Sequence, residues 1–251
     1  MIKLARLKDK PEIFHSIQGE GKNVGTPSIF IRLSLCNLYC VWCDTDYTWN
    51  WKGTSYSHNY DKLMGYAKYD KEEYIVKMPN IEIVDIVKNI ACTNVVITGG
   101  EPFVQQKDLV SLLTELKKSK PAYHFEFETN GTIKPLSEMD NLANQYNVSI
   151  KLSNSNVNKR ERINPESISF FSNSPKSNFK FVIDTIDDVD EVLSLINEYK
   201  IKNDRVFLMP QGSTVLSLKQ KQNWLVEICK ANNFHYSERL HIHIWGDKRG
   251  V

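Results

Sequence analysis

Strand-like and helix-like segments alternate along most of this 251-residue chain. That rhythm is the sequence signature of an α/β fold with a largely parallel sheet. Ser28–Leu35 places Ile29, Ile31, Leu33 and Leu35 on one face and Phe30, Arg32 and Ser34 on the other. Further strands are expected at Asn94–Thr98, Ala122–Glu128, Val148–Leu152, Phe179–Ile183, Arg205–Met209 and Leu240–Trp245. Helices are expected at about Ile81–Ala91, Lys107–Lys118, Val189–Tyr199 and Leu218–Ala231. In the third of these, Val189, Val192, Leu193 and Ile196 keep the spacing of one buried stripe. Six or seven strands fall short of the eight of a closed TIM-type barrel. The expected architecture is an incomplete βα barrel, open on one side. Two stretches break the alternation: residues 50–80, which read as an insertion, and Ser153–Ser177, expected to be a long loop with a short helix. No repeat or linker divides the chain, so residues 1–251 are expected to form one domain.

Composition narrows the functional classes. A formal charge of +2 gives no footprint for nucleic acid, and 41% hydrophobic with 25% charged residues is ordinary for a globular protein. No apolar run approaches the ~20 residues that cross a bilayer. The start, Met-Ile-Lys-Leu-Ala-Arg, lacks the apolar core of a signal peptide, so a cytoplasmic location is expected. The five cysteines are an odd number with three packed into eight residues, poor material for a disulfide framework.

Those three form Cys36-x-x-x-Cys40-x-x-Cys43, running into Asp44-Thr45. Iron–sulfur clusters are normally held by four thiolates. Three in one short loop would hold three irons of a cubane and leave the fourth open to another ligand. The loop directly follows the Ser28–Leu35 strand, and the active sites of βα barrels lie at the carboxyl ends of their strands. The competing assignment is a structural zinc site, which is usually closed by four Cys or His ligands. His241 and His243 are the remaining donors, but on the expected strand they face opposite sides.

Other polar segments follow strands in the same way. Thr98-Gly99-Gly100-Glu101-Pro102 ends one strand; by itself it is a turn, but its glycines let backbone approach a ligand and its Glu suits an ammonium. Glu128-Thr129-Asn130-Gly131-Thr132 ends the next, and Ser149-Ile150-Lys151 lies on the one after. Polar groups at successive strand ends point to one shared pocket. Phe14-His15-Ser16-Ile17-Gln18-Gly19-Glu20-Gly21 reads either as a glycine-rich turn or as a cradle for a flat heterocycle. Arg32, on an inward face, needs a carboxylate, supplied either by a substrate or by a structural ion pair.

Together, Phe14–Gly21, Pro27–Arg32, Cys36–Thr45, Ile97–Pro102, Glu128–Thr132, Lys151–Ser155 and Arg239–Val251 resemble the 7-carboxy-7-deazaguanine synthases, radical S-adenosylmethionine (SAM) enzymes of queuosine and 7-deazapurine biosynthesis. The likeness covers nearly the whole chain and is weakest over Asn50–Asn80 and Ser155–Ser177. It implies the partial barrel of the radical SAM superfamily and a carbon–nitrogen lyase. In that activity, 6-carboxy-5,6,7,8-tetrahydropterin undergoes a Mg²⁺-assisted radical ring contraction and loses ammonia. Cys36, Cys40 and Cys43 would ligate a 4Fe–4S cluster, and Thr45 would offer its hydroxyl to Mg²⁺. Trp42, Cys43, Asp44, Gly100, Glu101, Thr129, Asn130, Ser149, Lys151 and Gln211 would line the SAM site. Ile17, Gln18, Gly19, Glu20, Arg32 and Thr98 would hold the pterin, joined by the carboxylate of Val251.

The resemblance also implies a homodimer and a flavodoxin- or ferredoxin-type reductant, with neither nucleic acid nor membrane as a partner. One departure from the family pattern is Ser149-Ile150-Lys151 where many members carry Ser-Pro-Lys. Cys92 and Cys229 match no motif and are expected to be buried apolar packing. His15 and His124 carry no assigned role, and the insertion aromatics Trp49, Trp51, Tyr56 and Tyr60 are expected to pack. The rivals are a glycyl-radical activase, which shares the cysteine spacing, and a zinc-binding interaction module.

Overall fold

Eleven strands form one sheet in the computed structural model, which describes residues Met1 to Val251. In chain order they are β1 (Ile2–Leu7), β2 (Lys10–Pro11), β3 (Ile13–Ile17), β4 (Pro27–Leu33), β5 (Ile75–Met78) and β6 (Asn94–Gly99). Then come β7 (His124–Thr129), β8 (Gln145–Val148), β9 (Ser177–Ile183), β10 (Val206–Pro210) and β11 (His235–Tyr236). From β4 through β6 to β11 every neighbouring pair is parallel. β11 does not pair back to β4, so the barrel is open, as the alternation predicts. The helices Asn80–Lys88, Gln106–Ser119, Asp188–Tyr199 and Val215–Asn232 form the outer layer.

The two faces of the strands differ in chemistry. Ile29, Ile31, Leu33, Val95, Ile97, Phe125 and Phe127 belong to one cluster of 40 buried residues, together with Leu109, Leu112, Leu113 and Leu116 of the Gln106–Ser119 helix. Each large apolar side chain buried this way contributes roughly 1.5–3 kcal/mol. The alternate residues Phe30, Arg32, Thr98, Glu128 and Lys180 line an interior cavity instead. A two-residue period thus separates the apolar core from the polar interior.

Several elements differ from expectation. Ser28–Leu35 is not the first strand: β1, β2 and β3 precede it, and β3 pairs antiparallel with β4 from Ile13↔Ile31 to Ile17↔Pro27. These strands are short or only half-buried and no crossover helix follows them, so the helix–strand rhythm does not mark them. The last strand of residues 50–80, β5, pairs with β1. The strand expected over Val148–Leu152 lies earlier, at β8. There Gln145 and Asn147 point into a polar interior and hide the strand among loop-like residues. Leu240–Trp245 is a helix, because only Ile242 is buried while Ile244 is 50% exposed. Its alternation has no apolar face to cover and finds no sheet neighbour. Ser153–Ser177 holds two helices, Lys159–Arg162 and Pro165–Asn173, rather than one. Cys229 is buried as expected, whereas Cys92 is half-buried with its thiol against the Pro27 carbonyl at 3.2 Å.

The ends of β4 and β6 meet without side chains between them. Gly99 has φ +127°, and a Cβ there would lie 2.0 Å from the Leu33 carbonyl oxygen. A Cβ on Gly100 would lie 2.0 Å from the Leu35 oxygen, immediately before Cys36. The obstacle in both cases is backbone, which cannot swing aside. Gly100→Ala is therefore expected to destabilise the protein by about 1–3 kcal/mol. Urea unfolding checks this: the midpoint falls with an unchanged slope, and a native midpoint would show that the strand ends separate freely.

Candidate active site

A cavity of about 280 Å³ opens at the carboxyl ends of the parallel strands. Every residue expected to touch a ligand lines it except Glu101. The cysteine loop forms one wall. Its geometry starts at Leu35, which turns the chain out of β4 in the left-handed region (φ 75°), its N–H donating to the Thr48 carbonyl at 2.9 Å. The Cys43 N–H donates to the Cys40 carbonyl at 3.1 Å, and the Thr45 hydroxyl lies 3.6 Å from the Cys43 sulfur. Burial pushes all three thiols up: Cys36 well above its ordinary value, Cys40 to about 12, and Cys43 in the same direction.

A buried thiol without a cation stays protonated and inert, while the thiolate is the form that ligates metal. The Trp49 indole N–H, buried with no partner, lies against the Cys43 thiol. It is a donor that a ligated sulfur would accept. No three His, Cys, Asp or Glu side chains gather closely enough to hold a single metal ion. Three soft donors from one loop, spread around a cavity wall, fit a cluster with one open iron better than a closed zinc site.

The residues expected to line a SAM site sit on adjoining strand ends. Gly100 follows β6, Thr129 and Asn130 follow β7, and Ser149 and Lys151 lie just past β8. Lys151 donates to the Ser149 hydroxyl at 2.8 Å, its ammonium 5.7 Å from the centre of the Trp42 ring. Trp42 is anchored by its indole N–H to the Asn154 carbonyl at 2.9 Å. Gln211 lies across the cavity, its N–H bonded to Ile183 at the end of β9. Glu101 departs from the expected role. It is fully buried behind the wall, accepting from the Thr129 hydroxyl at 2.9 Å, the Asn130 N–H at 2.7 Å and the Phe103 N–H at 3.1 Å. Its carboxyl, which burial pushes up to about 7, braces the Thr129–Asn130 turn rather than facing the cavity.

The same cavity is also lined by Ile17–Glu20, Arg32, Thr98 and Val251. Gly19 lets the His241 ring pack closely there, since a Cβ would lie 2.1 Å from its nitrogen Nδ1 and would push the ring aside. The Gln18 amide donates to Glu126 at 2.6 Å and to Glu128 at 3.1 Å, which fixes its orientation. Arg32 has a structural partner: its Nε donates to Glu12 at 3.0 Å. That bond occupies Nε alone, and Arg32 still lines the cavity.

Sequence reasoning missed the charged frame behind these residues. Lys180 donates to Glu20 at 2.6 Å and to Glu128 at 2.9 Å. Arg239 donates to Glu20 at 2.9 Å, to the Gly212 carbonyl at 2.5 Å and to Asp44. Burial alone would raise the Glu20 carboxyl, but Lys180, Arg239 and His241 outweigh it and hold Glu20 well below the usual range. For Glu128 burial wins, and its carboxyl is raised despite Lys180. The available signal was Lys180 itself, one lysine between two phenylalanines in a strand that is buried throughout.

The Radical SAM superfamily profile matches residues 31–213. The chain is 35% identical over 240 residues to a 7-carboxy-7-deazaguanine synthase of Pyrobaculum aerophilum, with 95% of each chain covered. It is 30% identical to the protein of the same name from Rhodopirellula baltica, covering 96% of this chain and 87% of that one. The crystal structure of QueE from Escherichia coli superposes with a TM-score of 0.65 at 23% identity over 95% of both chains, a likeness of fold. The cysteine loop, the open barrel and these relatives agree: the chain belongs to the radical SAM superfamily and, within it, to the 7-carboxy-7-deazaguanine synthase family.

Proposed function

We propose that this enzyme converts 6-carboxy-5,6,7,8-tetrahydropterin to 7-carboxy-7-deazaguanine with loss of ammonia, in a Mg²⁺-dependent radical ring contraction serving queuosine or 7-deazapurine biosynthesis. The observation that carries this reading is the single cavity shared by the cysteine loop and the Gln18–Glu20/Arg32 wall. Reactions of this kind need the cofactor's reactive carbon held against the substrate and shielded from water. Cys36, Cys40 and Cys43 would hold a 4Fe–4S cluster that, with SAM, would supply the radical taking hydrogen from C6 of the pterin.

The protein's own residues position and balance charge. Thr129, Asn130, Ser149 and Lys151, with the Gly100 backbone, Trp42, Asp44 and Gln211, hold the SAM. Glu101 acts indirectly by fixing the Thr129–Asn130 turn. Thr45 offers a hydroxyl to Mg²⁺, an ion that binds few protein ligands and keeps waters and substrate oxygens around it. The planar guanidinium of Arg32 receives the pterin carboxylate. Gln18, with its amide clamped by Glu126 and Glu128, and Glu20, kept ionised by Lys180 and Arg239, meet the ring's polar edge beside Ile17, Gly19 and Thr98. Val251 closes this end of the cavity. We read residues 1–251 as one domain acting as a cytoplasmic homodimer, reduced by a flavodoxin- or ferredoxin-type protein.

The reading is tested by incubating the reconstituted enzyme with the carboxypterin, SAM, Mg²⁺ and a reductant. Formation of 5′-deoxyadenosine without 7-carboxy-7-deazaguanine would show that the substrate is a different one. Thr45→Ala is expected to weaken the Mg²⁺ dependence of turnover while the cluster still assembles, as read by its absorbance; an unaltered Mg²⁺ response removes Thr45 from the ion. Arg32→Lys, which keeps the charge but loses the planar fork, is expected to raise KM for the pterin about tenfold, equivalent to about 1.4 kcal/mol. A native KM would assign Arg32 to the Glu12 ion pair alone.

A further inference from the structure

Glu12 lies between β2 and β3, outside the 31–213 span of the superfamily profile. Its backbone is held on both sides: the N–H donates to Ala5 at 2.8 Å, and the carbonyl accepts from the Arg32 N–H at 3.1 Å. Its side chain is fully buried, and three donors converge on it. Arg32 Nε lies 3.0 Å and the Tyr47 hydroxyl 3.2 Å from one carboxylate oxygen, and Arg249 Nη2 lies 2.6 Å from the other. Glu12 is the only carboxylate that pairs with either arginine.

Arg249 depends on it heavily. Its guanidinium lies over the Tyr47 ring, 3.4 Å from the centroid, and Nη2 also donates to the Arg6 carbonyl at 2.9 Å. The buried Nε–H finds no partner. Arg249 is partly exposed, but Glu12 is fully buried, and breaking the pair leaves that carboxylate without one of its two cations. Arg249 in turn seats the Gly246–Val251 segment, which lines the same cavity as the cysteine loop, with Gly250 packed closely against Leu7. One buried charge therefore aims a cavity arginine and anchors the segment closing the same end of the cavity.

We propose that Glu12 is a positioning residue that couples Arg32 to the Gly246–Val251 segment, so that pterin affinity and the seating of that segment change together. The part concerning Arg32 rests on the carboxypterin reading above. By engaging Nε only, Glu12 leaves the two terminal nitrogens of Arg32 directed to a ligand carboxylate. A glutamine in its place keeps the shape but offers one oxygen and an NH₂ group that repels the guanidinium donors.

The test uses Glu12→Gln in the full chain with two readouts. In the reconstituted enzyme, KM for the carboxypterin is expected to rise about tenfold with kcat nearly unchanged, the pattern of lost substrate binding, and SAM affinity is expected to stay native. In the protein without substrate, trypsin is expected to cleave after Lys248 or Arg249 several-fold faster, followed by mass spectrometry. A native value in either readout overturns the coupling. If Glu12→Gln does not fold by circular dichroism, Arg249→Met serves instead: faster cleavage after Lys248 together with a raised KM is expected, and native protection overturns the proposal. Should the native enzyme fail to turn over the pterin at all, the substrate reading falls, while the trypsin comparison still decides whether Glu12 anchors the segment.

Discussion

The ion pairs of Lys180 hold together a barrel interior that would otherwise be prohibitively polar. Glu20, Glu126, Glu128 and Asn147 all face inward, and an isolated buried charge costs several kcal/mol even after the protein relaxes. Lys180 joins Glu20 to Glu128, while Glu126 is satisfied by the amides of Gln18, Asn23 and Asn147 at 2.6, 2.7 and 2.5 Å. Arg239 extends the frame to Asp44 at the end of the cysteine loop. The network thus spans the β3 end, β7, β8, β9 and the C-terminal region. It allows an open, polar-lined cavity to exist where an eight-stranded barrel would fill its centre with apolar side chains.

The frame also shows how labour is divided along the chain. The span matched by the superfamily profile carries the cysteine loop, the glycine turn and the strand ends proposed to hold SAM. Most of the residues proposed to hold the pterin lie outside it: Ile17, Gln18, Gly19 and Glu20 before, and Val251 after. Arg32 stands at the border, its backbone in the parallel sheet and its charge paired with the N-terminal segment. A cofactor-handling core common to a superfamily is closed here by two flanks that meet each other through Glu12 and Arg249.

What the sequence made legible follows the same boundary. Parallel strands buried on one face and followed by helices carry strong periodicity, so β4, β6, β7, β9 and β10 were expected within a few residues. The cysteine loop was legible because few chemistries need three thiols at those spacings. β8 was misplaced because the polar interior gives it Gln and Asn at the positions where an apolar core would show a pattern. The helix at Leu240–Trp245 mimics a strand by alternation alone, since three apolar side chains separated by histidines imply a sheet face only if one is buried there. Its two histidines still do not converge: His241 Nε2 lies 3.9 Å from Glu20, whereas His243 Nε2 lies 3.3 Å from Glu238. Glu12 left no signal at all, being an acidic residue between two short strands whose pairing is set by contacts far along the chain.

The aromatic-rich residues after the cysteine loop complete the argument, because a loop that leaves its strand through a left-handed leucine needs external support. Asp46 is that support's anchor: the hydroxyls of Tyr66 and Tyr69 donate to it at 2.5 and 3.1 Å. His58, buried between Trp49, Tyr60 and Tyr66, accepts the Tyr60 N–H at Nδ1, so its proton sits on Nε2 and is donated to the Cys43 carbonyl at 2.9 Å. The Asn59 N–H reaches the Val41 carbonyl at 2.7 Å, and Tyr39 stacks on Tyr56. The expected packing role of these aromatics therefore has a specific object. They fix the backbone of residues 39–46 from outside the barrel, so the loop's shape rests on hydrogen bonds and ring contacts rather than on the thiols alone.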